Sequence, residues 1–197
     1  MLLNALEKVM MNNPVRAALQ RRFEAKRLLE MGGKVGGDGR VLEVGCGRGV
    51  GTELVLDVFG AAHVDAFDLD PDMVARAKVR LEGRPATVRV GDVSAIDAED
   101  GTYDAVFDFA IIHHVPDWRS ALREVHRVLK PGGRFYVEEV LAKFIHNPVW
   151  SRLLEHPMED RFDRATFASA LCDVGFTNVR SNELFGQFAW FVADAHR

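Results

Sequence analysis

Short apolar runs alternate along this chain with segments whose apolar residues recur at helical spacing. Val41, Leu42 and Val44 have the β-branched, apolar character of a buried parallel strand, and Val50, Leu54, Val55, Val58 and Phe59 then repeat as one face of a helix. His63–Asp68 (HVDAFD) predicts a second strand, and Ala75, Ala77, Val79 and Leu81 a helix that stops at Gly83-Arg84-Pro85. Further strands are expected over Ala86–Val90, Tyr103–Phe109 and 134–140, with a helix over 117–129 ahead of the turn Lys130-Pro131-Gly132-Gly133. A helix over 165–174 and strands over 176–182 and 187–194 complete the pattern. Residues 1–31 read as helical, interrupted near Asn12-Asn13-Pro14, before a glycine-rich linker at 32–37. In that segment Val15, Ala18, Leu19, Phe23 and Leu29 predict one apolar stripe opposite Arg16, Arg21 and Arg27.

The junction of the first strand with its helix carries the chemistry. In VLEVGCGRGVGT, Gly45, Gly47, Gly49 and Gly51 remove every second side chain, so a strand runs into a bare backbone loop. The first N–H groups and positive dipole end of the next helix face that loop, which makes it a cradle for a nucleotide-like ligand. A dinucleotide fingerprint needs glycine at its first, third and sixth positions, and the sixth position counted from Gly45 is Val50. The pyrophosphate reading is therefore weakened. Asp68 lies about 20 residues beyond the loop at the tip of the second strand, where an acid bonds ribose hydroxyls. Asp70 precedes Pro71 and Asp72 and suits the N-terminus of the next helix, while Asp65 sits inside the strand pattern.

Taken in order, VLEVGCGRG, HVDAFDLDPDMV, VRVGDV, YDAVFDFAIIHHV and LKPGGRFYVEEV resemble the successive motifs of class I S-adenosylmethionine-dependent methyltransferases over about residues 35–141. The pattern is most similar to the small-molecule, quinone-biosynthesis type. The resemblance implies a Rossmann-like, doubly wound α/β sheet of seven strands, order 3-2-1-4-5-7-6, with the last strand antiparallel. It also implies S-adenosyl-L-methionine as cofactor, held by Glu43, Gly45, Cys46, Gly47, Gly49, Asp68, Leu69, Asp92, Val93 and Phe109. In this family the acid at Asp92 binds the adenine amine, and the acid at Glu43 lies near the cofactor's amino acid end. The branch that methylates nucleic acid amines carries an Asn/Asp-Pro-Pro-aromatic motif after the fourth strand, whereas this chain has Phe109-Ala110-Ile111-Ile112.

Composition narrows the picture further. A chain of 197 residues that is 48% hydrophobic suits one domain: a helical lid or arm at 1–31, a cofactor-binding core at 35–141 and a substrate-side segment with the closing strands at 142–197. A net charge of −4 gives no general attraction to nucleic acid or anionic membranes. Residues 1–31, however, hold six Lys/Arg against three acids, so this segment is either a lid or a basic amphipathic helix that meets a membrane surface and a lipidic substrate. Two cysteines, Cys46 and Cys172, are too few for a disulfide scaffold or thiolate zinc site, and no residue cluster has metal-ligand spacing. With no apolar run near 20 residues and no signal-peptide core, the expected location is cytoplasmic.

Methyl transfer is an in-line displacement, so the enzyme mainly aligns two partners and excludes water. Where the acceptor must lose a proton, the available bases are His113, His114, Glu138 and Glu139, the two histidines leading. The alternative is that one histidine caps a turn and the other packs against the cofactor. Adjacent Glu138 and Glu139 alternate on a strand, so at most one faces the crevice. Residues 141–163, with Phe144, Trp150, Leu153, Leu154 and Met158, are placed to line a substrate pocket, together with residues 1–31 and 109–118. The expected partner is a small or lipid-like acceptor methylated at O, N or C. The competing readings are an NAD-binding oxidoreductase, disfavoured by Val50 and by the lack of a Tyr-x-x-x-Lys pair, and a non-catalytic cofactor-binding module.

Overall fold

Val41, Leu42, Glu43 and Val44 are all buried, because the strand they form lies at the centre of a sheet covered on both faces. A computed structural model describes residues 18–146 and 159–196. Seven strands form one sheet in the order β3-β2-β1-β4-β5-β7-β6: β1 (Arg40–Val44), β2 (His63–Asp68), β3 (Ala86–Val90), β4 (Tyr103–Phe109), β5 (Leu129–Val140), β6 (Phe176–Leu184) and β7 (Phe188–Ala195). The pairings from β3 to β5 are parallel, and β7 is antiparallel to both of its neighbours. Val44 pairs with Phe67 on one side and Asp108 on the other, and Asp68 pairs with Val90, so four strand ends come level. The chain leaves β1 toward β2 and later returns to β4, so the order reverses between β1 and β4, where open α/β sheets have their crevice.

Helices α1 (Ala25–Gly32), α2 (Val50–Asp57) and α3 (Pro71–Arg80) cover one face, with Val41, Leu54, Phe59, Val64, Phe107 and Tyr136 in the core beneath them. Helices α4 (Trp118–Val128) and α5 (Arg164–Val174) cover the other, over Leu42, Val44, Val106, Phe135, Val137 and Phe191. Helix α4 buries Trp118, Ala121, Leu122, Val125 and Val128, a stripe at helical spacing, and Asp117 caps it by accepting the Ser120 N–H at 3.0 Å. Trp118 stacks on Phe167 and meets Phe162 edge-on, while its indole N–H donates to the Asp160 carbonyl at 2.8 Å.

Two expectations shift on folding. Strand β5 begins at Leu129, which already pairs with Tyr103; the ladder then slips so that Arg134 meets Ala105. The Lys130-Pro131-Gly132-Gly133 segment is thus an irregularity inside the strand, which proline tolerates because it has no N–H to pair. The single apolar stripe of residues 1–31 does not hold among the described residues: Leu19 and Phe23 are exposed, and Gln20, Ala25, Leu28 and Gly32 are buried. A π-helical turn over Gln20–Glu24 widens the spacing to five residues at that point and rotates the buried face. Val15 of that stripe, Arg16 opposite it, and the break at 12–14 lie outside the described residues. Helix α1 is tied to the sheet where the Tyr136 hydroxyl lies 3.1 and 3.0 Å from the Gly32 and Gly33 carbonyls.

Trp118→Ala, by removing this ring from a fully buried site, is expected to destabilise the fold by about 3–5 kcal/mol, read as a lower midpoint of chemical denaturation at unchanged slope.

Candidate active site

The glycine loop sits where β1 ends. Its course is fixed from the neighbouring strand: the Cys46 N–H donates to the Phe67 carbonyl at 2.9 Å, and the Gly47 N–H to Asp68 Oδ2 at 2.8 Å. Gly45 takes a φ of +67°, and a Cβ there would lie 2.5 to 2.8 Å from the Ile111 side chain. Asp68 uses its second oxygen, Oδ1, to accept the Asp70 N–H at 2.8 Å, and Asp70 in turn caps α3 by accepting the Asp72 N–H at 2.9 Å. Asp65 points elsewhere, toward the Tyr103 hydroxyl and Arg40.

A cavity of about 240 Å³ opens over these strand ends. Glu43, Gly45, Cys46, Gly47, Asp68, Leu69, Asp92, Val93 and Phe109 line it, together with Gln20, Arg48, Met73, Ser94, Ile111, His114, Val115 and Pro116. Glu43, only 1% exposed, accepts a hydrogen bond from the Thr52 hydroxyl. Burial pushes its carboxyl up to about 8, with Asp68 and Asp108 adding to the rise and the Thr52 bond opposing it. Burial likewise pushes the Cys46 thiol up, so this cysteine is an inert wall and not a nucleophile. Three carboxyl groups, Glu43, Asp68 and Asp92, therefore face one cavity. Their carboxyl oxygens oppose a pyrophosphate and suit an ammonium group and sugar hydroxyls.

Beyond Phe109 the backbone turns sharply. Ala110 has a φ of +64°, an uncommon conformation for a residue with a Cβ that costs on the order of 1–3 kcal/mol. His114 lines the cavity, whereas His113 turns into the core, with Nδ1 2.6 Å from Glu139 Oε2 and its backbone N–H donating to Oε1 at 3.2 Å. Asp108 and Glu139 are both fully buried and bond each other. Burial raises both carboxyls, so the pair retains a proton that isolated carboxylates would lose.

The family described as a methyltransferase domain matches residues 42–137, the stretch that builds this loop, its acids and the β5 turn. Residues 42–137 thus carry a methyltransferase domain. Among curated relatives, the ubiquinone biosynthesis O-methyltransferase of Xanthomonas oryzae pv. oryzae is 40% identical over 103 residues, 50% of this chain and 41% of that enzyme. The chain thus spans less than half the length of the curated relatives it matches, 29% to 41% for the first of them. Among solved structures, a protein in complex with the Haloferax volcanii Trm112 methyltransferase activator superposes with a TM-score of 0.81 at 20% identity, covering 98% of this chain and 94% of that one. A SAM-dependent methyltransferase of Aquifex aeolicus gives 0.75 at 22% identity, covering 96% and 97%.

Several placements in this domain and around it differ from the sequence reading. Gly49 does not line the cavity; it is the left-handed cap of α2 and packs against Leu81, where a Cβ would lie at 2.9 Å. Neither Glu138 nor Glu139 is a cavity residue, because β5 is covered on both faces at this level and both side chains are buried in it. Of the segments expected to surround the substrate, 109–118 does so through residues 109–111 and 114–116, and 1–31 contributes Gln20. Within 141–163 the described residues do not line it, and Trp150, Leu153, Leu154 and Met158 lie outside the described residues. Gln20 and Pro116 lie within expected segments without having been singled out, whereas Met73, which reaches the cavity from α3, lies outside them, and no local pattern marks it. Among the described residues no cluster of three metal-ligating side chains occurs, and no helix is long and apolar enough to cross a membrane.

The Glu43 carboxyl gives a pH signature. Its ordinary value is 4.5 and its folded value about 8, so between them the folded state binds more protons than the unfolded chain, and its stabilising contribution is lost as pH rises through that window. The ligand-free protein is expected to melt at lower temperature on going from about pH 6 to pH 9, and Glu43→Gln to show a shallower fall; equal slopes in a calorimetric series would refute the assignment.

Proposed function

We propose that this chain transfers the methyl group of S-adenosyl-L-methionine to a small-molecule acceptor. The observation that carries the reading is the acid-lined cradle at the level ends of β1, β2 and β3, opening toward His114. When bound, the cofactor supplies an activated methyl group on a positively charged sulfur. Asp68 and Asp92 offer acceptors for the ribose hydroxyls and the adenine amine, and Leu69, Met73 and Val93 give the ring an apolar wall. Glu43 sits beside the loop where a cationic amino group would favour release of its proton to solvent, which couples cofactor affinity to pH. Phe109, Ile111 and Val115 keep water from the mouth of the cavity. His114, next to them, is the group placed to take a proton from a hydroxyl or ammonium acceptor. The ubiquinone-biosynthesis relative supports a small, ring-bearing acceptor methylated on oxygen. Because Gln20 reaches the cavity, residues 18–31 are read as part of a lid over the site in preference to a membrane contact.

Calorimetric titration with S-adenosylmethionine, S-adenosylhomocysteine and NADH in parallel tests the proposal. Micromolar binding of the two sulfur compounds and none of NADH is expected; NADH binding alone would overturn it. Asp68→Ala removes both the anchor of the Gly47 N–H and the ribose ligand, and is expected to weaken S-adenosylhomocysteine binding about tenfold to a hundredfold. Unchanged affinity would show that another carboxylate holds the ribose.

A further inference from the structure

A buried polar cluster stands behind the cavity wall at the end of β4, on the face covered by α4 and α5, and cofactor binding makes no use of it. Asp108 and Glu139 are fully buried on the neighbouring strands β4 and β5. Removing two carboxyl groups from water is costly, and apolar residues of the same size would pack the same space without that cost. What the carboxyls do instead is hold backbone. Asp108 Oδ1 accepts the Ile111 N–H at 2.9 Å, and Glu139 takes both the His113 N–H and the His113 ring. From the opposite side Arg161 donates to the His113 carbonyl at 2.6 Å and reaches the Val115 and Pro116 carbonyls at 3.4 Å. The segment clamped in this way starts at the left-handed Ala110 and contains the only cavity-lining histidine among the described residues, His114. The two histidine rings lie 4.1 Å apart, tilted by 39°, so fixing the first ring fixes the surface against which the second rests.

We propose that Glu139, backed by Asp108 and opposed by Arg161, is a positioning residue that holds the 110–116 turn in its strained form and thereby presents His114 to the acceptor side of the cavity. The inference rests on the methyltransferase reading for its functional meaning, but the geometry it predicts is measurable without turnover. Glu139 acts through His113 and touches neither cofactor nor acceptor. Arg161 supplies the outer half of the clamp from the chain just before α5, so the turn is gripped by β4 and β5 from within and by the α5 side from without.

The test uses the full chain with 15N-labelled histidine. Ring signals of His114 are assigned by their loss in His114→Gln and followed in Glu139→Ala, Glu139→Gln and Arg161→Ala, alongside titration of each protein with S-adenosylhomocysteine. The expected result is a shift of the His114 ring signals in Glu139→Ala and in Arg161→Ala. A partial return toward the parent position is expected in Glu139→Gln, whose amide oxygen still accepts from His113. Affinity for S-adenosylhomocysteine stays within about threefold, because the cradle on β1 to β3 is untouched. Arg161→Ala removes a partly exposed side chain and keeps the test open if Glu139→Ala does not fold. His114 signals that coincide with the parent in every folded variant would overturn the proposal. Failure of S-adenosylhomocysteine to bind the parent would instead count against the cofactor reading and leave the ring signals to decide the clamp.

Discussion

Parallel strands that end level, with their order reversing between β1 and β4, impose the constraint on which the site depends. At that reversal the connections diverge to opposite faces of the sheet, so no helix covers the strand ends and a crevice is unavoidable. Backbone groups in the crevice still need partners. Here acidic side chains supply many of them: Asp68 takes the Gly47 N–H, Asp108 the Ile111 N–H and Asp92 the Ser94 N–H, and Asp70 takes that of Asp72. The loops that shape the cavity are therefore held by carboxylates at or just beyond the strand ends, and two of these, Asp68 and Asp92, line the cavity itself.

Burial divides these acids into two kinds. Asp68 and Asp92 keep contact with the cavity and remain available to a ligand. Glu43, Asp108 and Glu139 are almost wholly enclosed and hold protons well above the ordinary carboxylate range. An enclosed acid that keeps its proton avoids the cost of a buried charge and can donate as well as accept. Glu43 is enclosed against the loop and so responds to what the loop binds, whereas the Asp108–Glu139 pair is enclosed behind the His113-His114 turn and responds to its geometry. One sheet thus carries a ligand-facing set on the α1–α3 face and a scaffold-facing set on the other.

Much of the fold was legible in local pattern. Among the described residues from 40 to 196, the strand cores and every helix of eight residues or more were expected within a few positions, because each combines an apolar run or stripe with a stop such as Gly83-Arg84-Pro85 or Gly175. The strand order 3-2-1-4-5-7-6, implied by family motifs, is the order observed. Local pattern misjudged the ends of elements and the phase of the first helix. Lys130-Pro131-Gly132-Gly133 reads as a turn, yet pairing of Leu129 with Tyr103 draws it into β5. The stripe through Leu19 and Phe23 assumed 3.6 residues per turn, and one π-helical turn turns those two side chains to solvent.

For the site the division is sharper. Asp68 and the glycine loop could be read from sequence because each stands at a strand end whose position the hydrophobic run predicts, while Glu43 and Asp92 came from the resemblance to family motifs. That local information fixes which residues meet at the crevice. It does not fix which way a side chain faces once the chain turns, since the choice depends on partners far away in sequence. His113 and His114 are adjacent and equivalent as letters; only the pairing of β4 with β5 brings Glu139 beneath one of them, and only Arg161, 48 residues on, grips the turn from outside. Gln20 likewise reaches the cavity through long-range packing. The sequence by itself determined the sheet, the loop and the acids that line it, because strand, turn and helix signals act over a few residues. The tertiary structure alone decided which histidine faces the cavity and which carboxyls keep their protons, because burial and hydrogen-bond partners are properties of the packed chain.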